Sequence, residues 1–244
     1  QNNEKLFDNI KLIQEGNVID LHLDLIVGLP YEDYNSFINT FNEVLSLRPK
    51  ELQIGFLKLL KGTKLYEEKQ KYGYEFNEKS PYDIICNDFM SNEDIKKIHL
   101  LEDSFETYYN KGYYKNALNY LLDNIDNAFD FFYELSKINL NSKRLSDTFK
   151  QLDEHVKNNV NINYEIFHKL LIIDYLNIHK IKPSIWWDEK INPKEKNNIL
   201  RIFHENGKLP FDLNILYKYS IVIPLKNNII VAIFKDYNRY IYVL

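Results

Sequence analysis

Residues 21–28 read LHLDLIVG, and aliphatic side chains occupy every second position from the first leucine. A period of two predicts a β-strand, because successive side chains of a strand point to opposite faces. His22, Asp24, Ile26 and Gly28 share the face that the leucines and the valine do not fill. The aliphatic face should pack on helices, so the other face should look into a cavity or a barrel lumen, at a bound molecule. The simpler alternative is that His22 and Asp24 satisfy each other in a small core.

A second strand is predicted at residues 51–58, after an amphipathic helical pattern over 33–47 that ends before Pro49. A strand, a helix and a strand in succession form a βαβ unit, so the two strands should run parallel. Gln53 and Gly55 would lie on the inner face, where the glycine leaves room for a close approach. A parallel sheet needs several strands and a cover on both faces. The pattern therefore predicts that the chain is part of a larger barrel.

The remainder of the chain changes to helical spacing and then to strands. Apolar residues recur with a helical period in segments over residues 91–110, 114–123, 126–138, 145–158, 163–179 and 193–205. Asn110 and Gly112, at the end of the first of these helices, are interpreted as helix-stop residues. Residues 219–244 contain β-like runs that predict an antiparallel meander, with a tight turn at Asn227-Asn228 and an edge strand at Pro224.

Composition and charge argue against several functions and predict a cytoplasmic protein. The net charge of −4 provides no basic surface for phosphates, so nucleic acid is not an expected partner. No apolar run reaches the roughly 18 residues that span a bilayer, and no secretion leader is recognisable, so a membrane is not expected either. Cys86 is the single cysteine, and the six histidines lack the spacings of metal ligands, so no metal site is predicted.

Four stretches of the chain resemble one protein family. DLIVGLPYED at residues 24–33 is similar to the fifth barrel strand of radical S-adenosylmethionine (SAM) enzymes, and FLKLLKGTKL at 56–65 is similar to the sixth strand and its turn. SPYDIICNDF at 80–89 and YYNKGYY at 108–114 resemble the C-terminal region of unassigned function in one group of cobalamin-binding radical SAM proteins. That group carries Pro-Tyr-Glu-Val and Tyr-Tyr-Asn-Ser-Gly-Arg-Phe at these places. The resemblance extends over most of residues 5–122.

The resemblance implies a fold class and a domain organisation. Residues 1–62 would be the C-terminal portion of a radical SAM (β/α) barrel, an α/β fragment built as helix, strand, helix and strand. Residues 63–244 would be a family-specific, mainly α-helical domain that ends in the β-meander near 219–244, so the chain is α+β in total. The chain would be the C-terminal part of a longer protein, with the rest of its own barrel and an N-terminal cobalamin domain as partners.

The resemblance also implies site residues. In the family, an isoleucine and a glycine of the fifth strand and a residue near the end of the sixth contact the SAM adenine. The matching cofactor-binding positions are Ile26, Gly28 and Leu57. The lumen-facing positions, which would lie near the substrate, are His22, Asp24, Gln53 and Gly55.

The chain departs from the family pattern at several places. Tyr31 replaces the glycine after the proline, and Lys61 and Lys64 replace two prolines of the turn. The cluster-binding Cys-x-x-x-Cys-x-x-Cys loop is absent, and one cysteine cannot hold a [4Fe–4S] cluster. The resemblance therefore implies SAM, a [4Fe–4S] cluster and cobalamin as cofactors of the full-length protein, with none bound to this chain alone.

Two functions are open from the sequence. In the first, the chain belongs to a cobalamin-dependent radical SAM enzyme that cleaves SAM reductively and performs radical or methyl transfer on an unknown small-molecule substrate. The chain alone would then be inactive. In the second, the chain is a non-enzymatic helical docking or dimerisation module with a degenerate half-barrel, which would pair with a second copy.

Overall fold

The computed structural model describes residues 3–15, 19–138, 144–187 and 191–244. By its packing the chain divides into two compact units, one from residues 1–112 and 124–139 and the other from residues 113–123 and 140–244. The predicted boundary between residues 62 and 63 follows the sequence resemblance and stays a prediction. The residues just after 62 pack in the same compact unit as the two predicted barrel strands.

The elements of the described residues are named in chain order. They are α1 Asn3–Glu15, β1 His22–Val27, α2 Tyr34–Ser46, β2 Glu51–Phe56, α3 Lys64–Glu68, β3 Glu75–Phe76, β4 Ile84–Cys86, α4 Asn92–Phe105, α5 Lys115–Leu122, α6 Ala128–Ser136, α7 Leu145–Asn159, α8 Tyr164–Ile178, α9 Pro193–Glu205, α10 Leu213–Tyr219, β5 Ser220–Pro224, β6 Ile229–Lys235 and β7 Asn238–Val243. A 3₁₀ turn, Lys69–Tyr72, follows α3, and a π-helical segment, Glu106–Asn110, extends α4.

In the first unit, β1 and β2 form a parallel pair that α2 connects. Leu25 and Val27 of β1 are buried, as are Leu52 and Ile54 of β2. The helix α2 contacts β1 and buries its own apolar stripe, which consists of Phe37, Phe41 and Leu45. Because the buried residues are every second one along each strand, the remaining side chains of both strands lie on the opposite face.

Aromatic side chains join α4 to α6 in the same unit. A reciprocal capping box between Ser91 and Asp94 starts α4. Near its other end, Phe105 meets Phe132 of α6 edge-on, with ring centroids 4.9 Å apart. Ser104 Oγ also donates a hydrogen bond of 2.7 Å to the carbonyl of Phe132. These contacts fix the end of α4, from which the π-helical segment continues.

The second unit contains a three-stranded antiparallel sheet in the order β5-β6-β7. Strands β5 and β6 supply the apolar residues of one face, which pack against Leu200 of α9 and Leu216 of α10. The sheet is the predicted meander. Its turn with a left-handed backbone conformation is not the one predicted at Asn227-Asn228. Asp236 and Tyr237 have the positive φ values, 53° and 57°, whereas Asn227-Asn228 does not. The turn between β5 and β6 spans residues 225–228 and does not need the left-handed conformation.

The described residues form no closed barrel, so the barrel-fragment part of the predicted fold class stays a prediction. The small antiparallel sheets and the predominance of helix are direct observations. None of the helices in the described ranges combines the length and the apolar character needed to cross a membrane.

The carboxylate of Asp174 in α8 supports the start of α5 in the second unit. It accepts hydrogen bonds of 2.9 Å from the backbone N–H of Ala117 and 2.6 Å from the Asn116 side chain. Carboxylates stabilise helix N-termini, where backbone N–H groups lack partners. Burial of the group nevertheless raises the pKa of Asp174 above its ordinary value.

We expect Asp174→Ala to lower the free energy of unfolding by about 1–3 kcal/mol, because it leaves the N–H of Ala117 without its acceptor. Asp174→Asn keeps an acceptor oxygen and should lose much less. Since the folded-state pKa of Asp174 is raised, the wild type should gain stability relative to Asp174→Asn as the pH falls through that pKa. Urea denaturation of the three proteins at several pH values checks both points, and equal losses for alanine and asparagine would contradict this role.

Candidate functional site

The open face of the β1–β2 pair carries the polar residues predicted from the sequence. His22, Asp24 and Ile26 of β1 are exposed, and Gln53 and Gly55 are exposed on β2. Asp24 pairs in register with Gln53, and Ile26 pairs with Gly55. The bare glycine beside Ile26 leaves the isoleucine side chain 47% exposed, as a flat apolar spot on an otherwise polar face.

A concave pocket of about 450 Å³ lies over this face. Its floor comes from the two strands, and its wall comes from α4 and the π-helical segment. The polar and open-face residues that line it are Asp24, Ile26, Glu51, Gln53, Gly55, Glu102, Glu106 and Asn110. Four of the predicted site residues therefore share one pocket, whereas His22 lies beside it on the same face.

The pocket is acidic, and its charges are partly organised. His22 Nδ1 lies 2.9 Å from Glu51 Oε2, and Gln53 Nε2 donates to Glu51 Oε1 at 3.0 Å. The hydrogen bond from Gln53 lowers the pKa of Glu51, and His22 adds to the effect. Burial raises the pKa of Glu102 across the pocket, with smaller contributions from Asp103 and Glu106. Such a surface favours a ligand with positive charge over an anion.

The outer edge of β2, away from β1, is closed by the side chain of Asn110. Its Oδ1 accepts from the N–H of Leu52 at 3.1 Å, and its Nδ2 donates to the carbonyl of the same residue at 3.1 Å. The neighbouring Tyr109 donates from its hydroxyl to the carbonyl of Pro49 at 2.6 Å, and burial raises the pKa of this phenol to about 12. Both residues belong to the π-helical segment, which thus binds the first half of the strand.

The residues that follow β2 are held by the stretch at 80–89, which contains β4. The N–H of Ile84 donates to the carbonyl of Leu57 at 2.9 Å, and the N–H of Leu59 donates to Tyr82 at 3.1 Å. Leu57 also bonds back to Val27 of β1 through its own N–H, at 3.0 Å. The chain after β2 is therefore held between β1 and the segment around β4.

Gly28 directly follows β1, and the backbone conformation and packing at this position favour glycine. Its φ is +91°, and a Cβ atom there would lie 2.5 Å from Ile84 Cδ1. Its carbonyl accepts hydrogen bonds from Tyr74 Oη at 2.8 Å and from Asn87 Nδ2 at 3.0 Å. Gly28 and Leu57 do not line the described pocket, so their contact with a cofactor stays a prediction.

The residues of this chain fit the implied cofactors unequally. The apolar spot of Ile26 and Gly55 suits a flat ring, and the surrounding carboxylates suit a cation, so both features fit SAM. An iron–sulfur cluster does not fit, because the described residues contain no group of three or more metal-ligating side chains. Burial and the nearby Glu75 raise the pKa of Cys86, the single cysteine, which disfavours a thiolate ligand.

Sequence reasoning did not identify the wall of the pocket. The sequence pattern predicts only an amphipathic helix around Glu102 and Glu106, and it favours Asn110 as a helix-stop residue. The signal that could have found them is the YYN sequence at 108–110, since two adjacent polar-tipped residues at a helix end can reach a neighbouring strand. The departure at Tyr31 is also informative, because this residue has φ 70°, a conformation that favours the glycine found there in the resembling proteins.

Comparison with known proteins gives a match to one family model. Residues 70–239 match the family described as "Protein of unknown function (DUF4080)". This range includes α4, the π-helical segment and most of the second unit. No curated protein matches the chain.

We expect Gly28→Ala to destabilise the chain by about 1–3 kcal/mol, because alanine must keep a positive φ and displace Ile84. Ile84→Val removes the Cδ1 atom in question, at a loss of roughly 0.5–1.5 kcal/mol by itself. The double variant should lose less than the sum of the two single losses, by at least about 0.5 kcal/mol. Additive losses in chemical denaturation would show that the contact is not responsible for the glycine.

The two hydrogen bonds between the Asn110 side chain and the backbone of Leu52 form a clamp on β2. We expect Asn110→Ala to lower the free energy of unfolding by about 1–3 kcal/mol, because it removes the acceptor for the Leu52 N–H and the donor for the Leu52 carbonyl. Amide hydrogen exchange at Leu52 should quicken in this variant. Thr107→Ala, which removes only a local bond to the carbonyl of Asp103, is the control in the same helical segment. Unchanged exchange at Leu52 in Asn110→Ala would contradict the clamp.

Proposed function

The chain belongs to the DUF4080 family of proteins of unknown function, and we propose that it is the C-terminal part of a cobalamin-dependent radical SAM enzyme. In this proposal β1 and β2 are the fifth and sixth strands of the SAM-binding barrel. The family-matched region after them holds the last strand in place. When bound, SAM and the cluster would supply the radical chemistry, and cobalamin would take part in radical or methyl transfer on a small-molecule substrate.

The asymmetry of the two strand edges carries this proposal. The outer edge of β2 is closed by Asn110, and its continuation is paired with the segment around Ile84. The outer edge of β1 has no neighbouring strand within the described residues. In this proposal further strands join at β1, which is what a fifth strand next to a final sixth strand requires. A two-stranded parallel sheet with one bare face is not a stable end state, because parallel sheets are covered on both faces.

The open-face pocket supports SAM as the ligand of the completed barrel. Ile26 offers an apolar contact for the adenine, and Gly55 leaves room beside it. Asp24, Glu102 and Glu106 line the pocket with negative charge, which complements the sulfonium and ammonium groups of SAM. Ligands of (β/α) barrels bind near the C-terminal ends of the strands, and Ile26 is the open-face residue of β1 nearest that end.

The cluster ligands would lie in parts of the protein outside these 244 residues, because one cysteine cannot hold the cluster. The cobalamin site is proposed to lie outside them as well. The chain contributes binding and positioning. His22 and Asp24, deeper on the same face, would orient a substrate that lies against the SAM.

A second candidate function is a non-enzymatic dimerisation module. The same exposed Ile26 and the same open edge of β1 favour it, because a second copy could cover both. In that case the chain would form a stable dimer alone, and the protein would not bind SAM.

Ile26→Asp in the complete protein tests the enzyme proposal. We expect SAM affinity, measured by titration calorimetry after anaerobic reconstitution, to fall by about tenfold or more, which is roughly 1.4 kcal/mol. The release of 5′-deoxyadenosine should fall with it. Ile202→Asp is the matched control, because Ile202 of α9 is 44% exposed and Ile26 is 47% exposed.

Two results would contradict the proposal. One is unchanged SAM affinity in Ile26→Asp together with an unchanged fold by circular dichroism. The other is stoichiometric iron and SAM cleavage by residues 1–244 alone, which lack the cluster ligands. Dimerisation of this chain that Ile26→Asp abolishes, without SAM binding by the complete protein, would favour the second function.

A further inference from the structure

The free edge of the meander in the second unit lies beside a groove. β7 is the last strand of the order β5-β6-β7, and no strand of the described residues pairs with its outer side. The groove has a volume of about 740 Å³. It is bounded by residues of α8 and of β7 with its preceding turn, namely Ile173, Asn177, Lys180, Tyr237, Asn238, Arg239, Ile241 and Val243.

The hydrogen-bond register shows which backbone groups of β7 point outward. Ile229 and Leu244 exchange two backbone bonds, of 2.7 and 2.8 Å, and so form a hydrogen-bonded pair. In an antiparallel ladder such pairs alternate with non-bonded pairs. Tyr242 and Tyr240 therefore bond to β6, and the N–H and C=O groups of Arg239, Ile241 and Val243 point away from it. These three residues are the ones of β7, apart from Asn238 at its start, that line the groove.

The side chains of the groove combine positive charge with an aliphatic surface. Lys180 comes from the end of α8, and Arg239 comes from β7. Arg239 Nε donates to Asn177 Oδ1 at 3.3 Å, which holds the guanidinium over the groove. None of the described lining residues is a carboxylate. Ile173, Ile241 and Val243 supply the apolar part of the surface.

We propose that this edge of β7 binds an extended, acidic peptide segment of another protein as an added strand. The outward groups of Arg239, Ile241 and Val243 would bond to the backbone of the segment. Since alternate side chains of a strand point to one face, every second side chain of the segment would enter the groove. There, acidic side chains would meet Lys180 and Arg239, and apolar side chains would meet Ile241.

Charge complementarity favours an acidic partner over a second copy of this chain. Two copies joined edge to edge at β7 would bring two positive grooves together, and like charges across a strand pair are destabilising. Exposed strand edges pair with other chains unless they are blocked. This proposal does not depend on the proposed function, because it concerns the second unit alone.

The test uses residues 1–244 and three fluorescein-labelled peptides of about eight residues, the length of a short strand. The first repeats the sequence Glu-Glu-Val-Val, so that acidic and apolar side chains alternate along each face of the strand. The second replaces glutamate by lysine. The third is the acidic peptide with every backbone nitrogen methylated, which keeps the charge but has no backbone donor. Fluorescence anisotropy should show the acidic peptide binding at least about tenfold more tightly than either comparator.

Charge-reversal variants locate the site. Arg239→Glu should weaken binding of the acidic peptide by about tenfold or more, whereas Lys226→Glu, in the turn between β5 and β6, should change it by less than about twofold. Ile241→Pro removes one outward N–H and leaves the ladder to β6 intact, since proline is tolerated on edge strands. Ile241→Pro should therefore also weaken binding of the acidic peptide. If it unfolds the chain, slower amide exchange at residues 239, 241 and 243 on peptide addition tests the same contact.

Several results would overturn the proposal. If the methylated peptide binds as tightly as the unmethylated acidic peptide, the attraction is between charges alone and does not involve strand pairing. Equal loss in Arg239→Glu and Lys226→Glu would show that the groove is not the site. Absence of binding by the acidic peptide at millimolar concentration would reject an acidic segment. Sedimentation of the chain as a dimer that Ile241→Pro disrupts would identify a second copy as the occupant instead.

Discussion

The first unit depends on one side-chain amide that takes the place of a strand. A primary amide has a carbonyl acceptor and an N–H donor, as the peptide group has, so Asn110 can satisfy both backbone groups of Leu52. One residue thereby occupies the outer edge of β2 at Leu52, where an open edge would accept another strand. The π-helical geometry of Glu106–Asn110 is part of this arrangement, because it lets the adjacent Tyr109 reach Pro49 at the same time.

The clamp also determines the chemistry of the pocket. Asn110 Nδ2 donates to Glu106 Oε2 at 2.9 Å as well as to Leu52, so one amide joins the strand edge to a carboxylate of the pocket wall. Glu102 lies about one helical turn earlier on α4. The aromatic contacts of Phe105 fix this helix against α6. The negative charges therefore stand on a rigid support, and their distance from the floor does not depend on a loop.

Local periodicity was sufficient to predict β1, β2, the strands of the meander and most helices, but it did not predict the short strands β3 and β4. The alternation of residues 21–28 gave the exposed positions of His22 and Asp24, because burial of one face leaves only one register. It could not identify the role of Asn110, whose partner Leu52 is 58 residues away in sequence. An asparagine two residues before a glycine looks the same whether it ends a helix or binds a strand. The resemblance gives Gly28 as a contact of the SAM adenine, and no local pattern reports that Ile84 also lies against this glycine.

The separation between Leu52 and Asn110 has a consequence for the chain during its synthesis. Ribosomes add roughly 5–20 residues per second, so the 58 residues between the strand and its clamp take about 3–12 s to appear. Throughout this interval the edge of β2 is complete but uncovered. A nascent chain is most exposed to wrong pairing in that period, and neighbouring chains on one messenger RNA carry the same open edge. A binding chaperone would therefore help this chain most before residue 110 has left the ribosome.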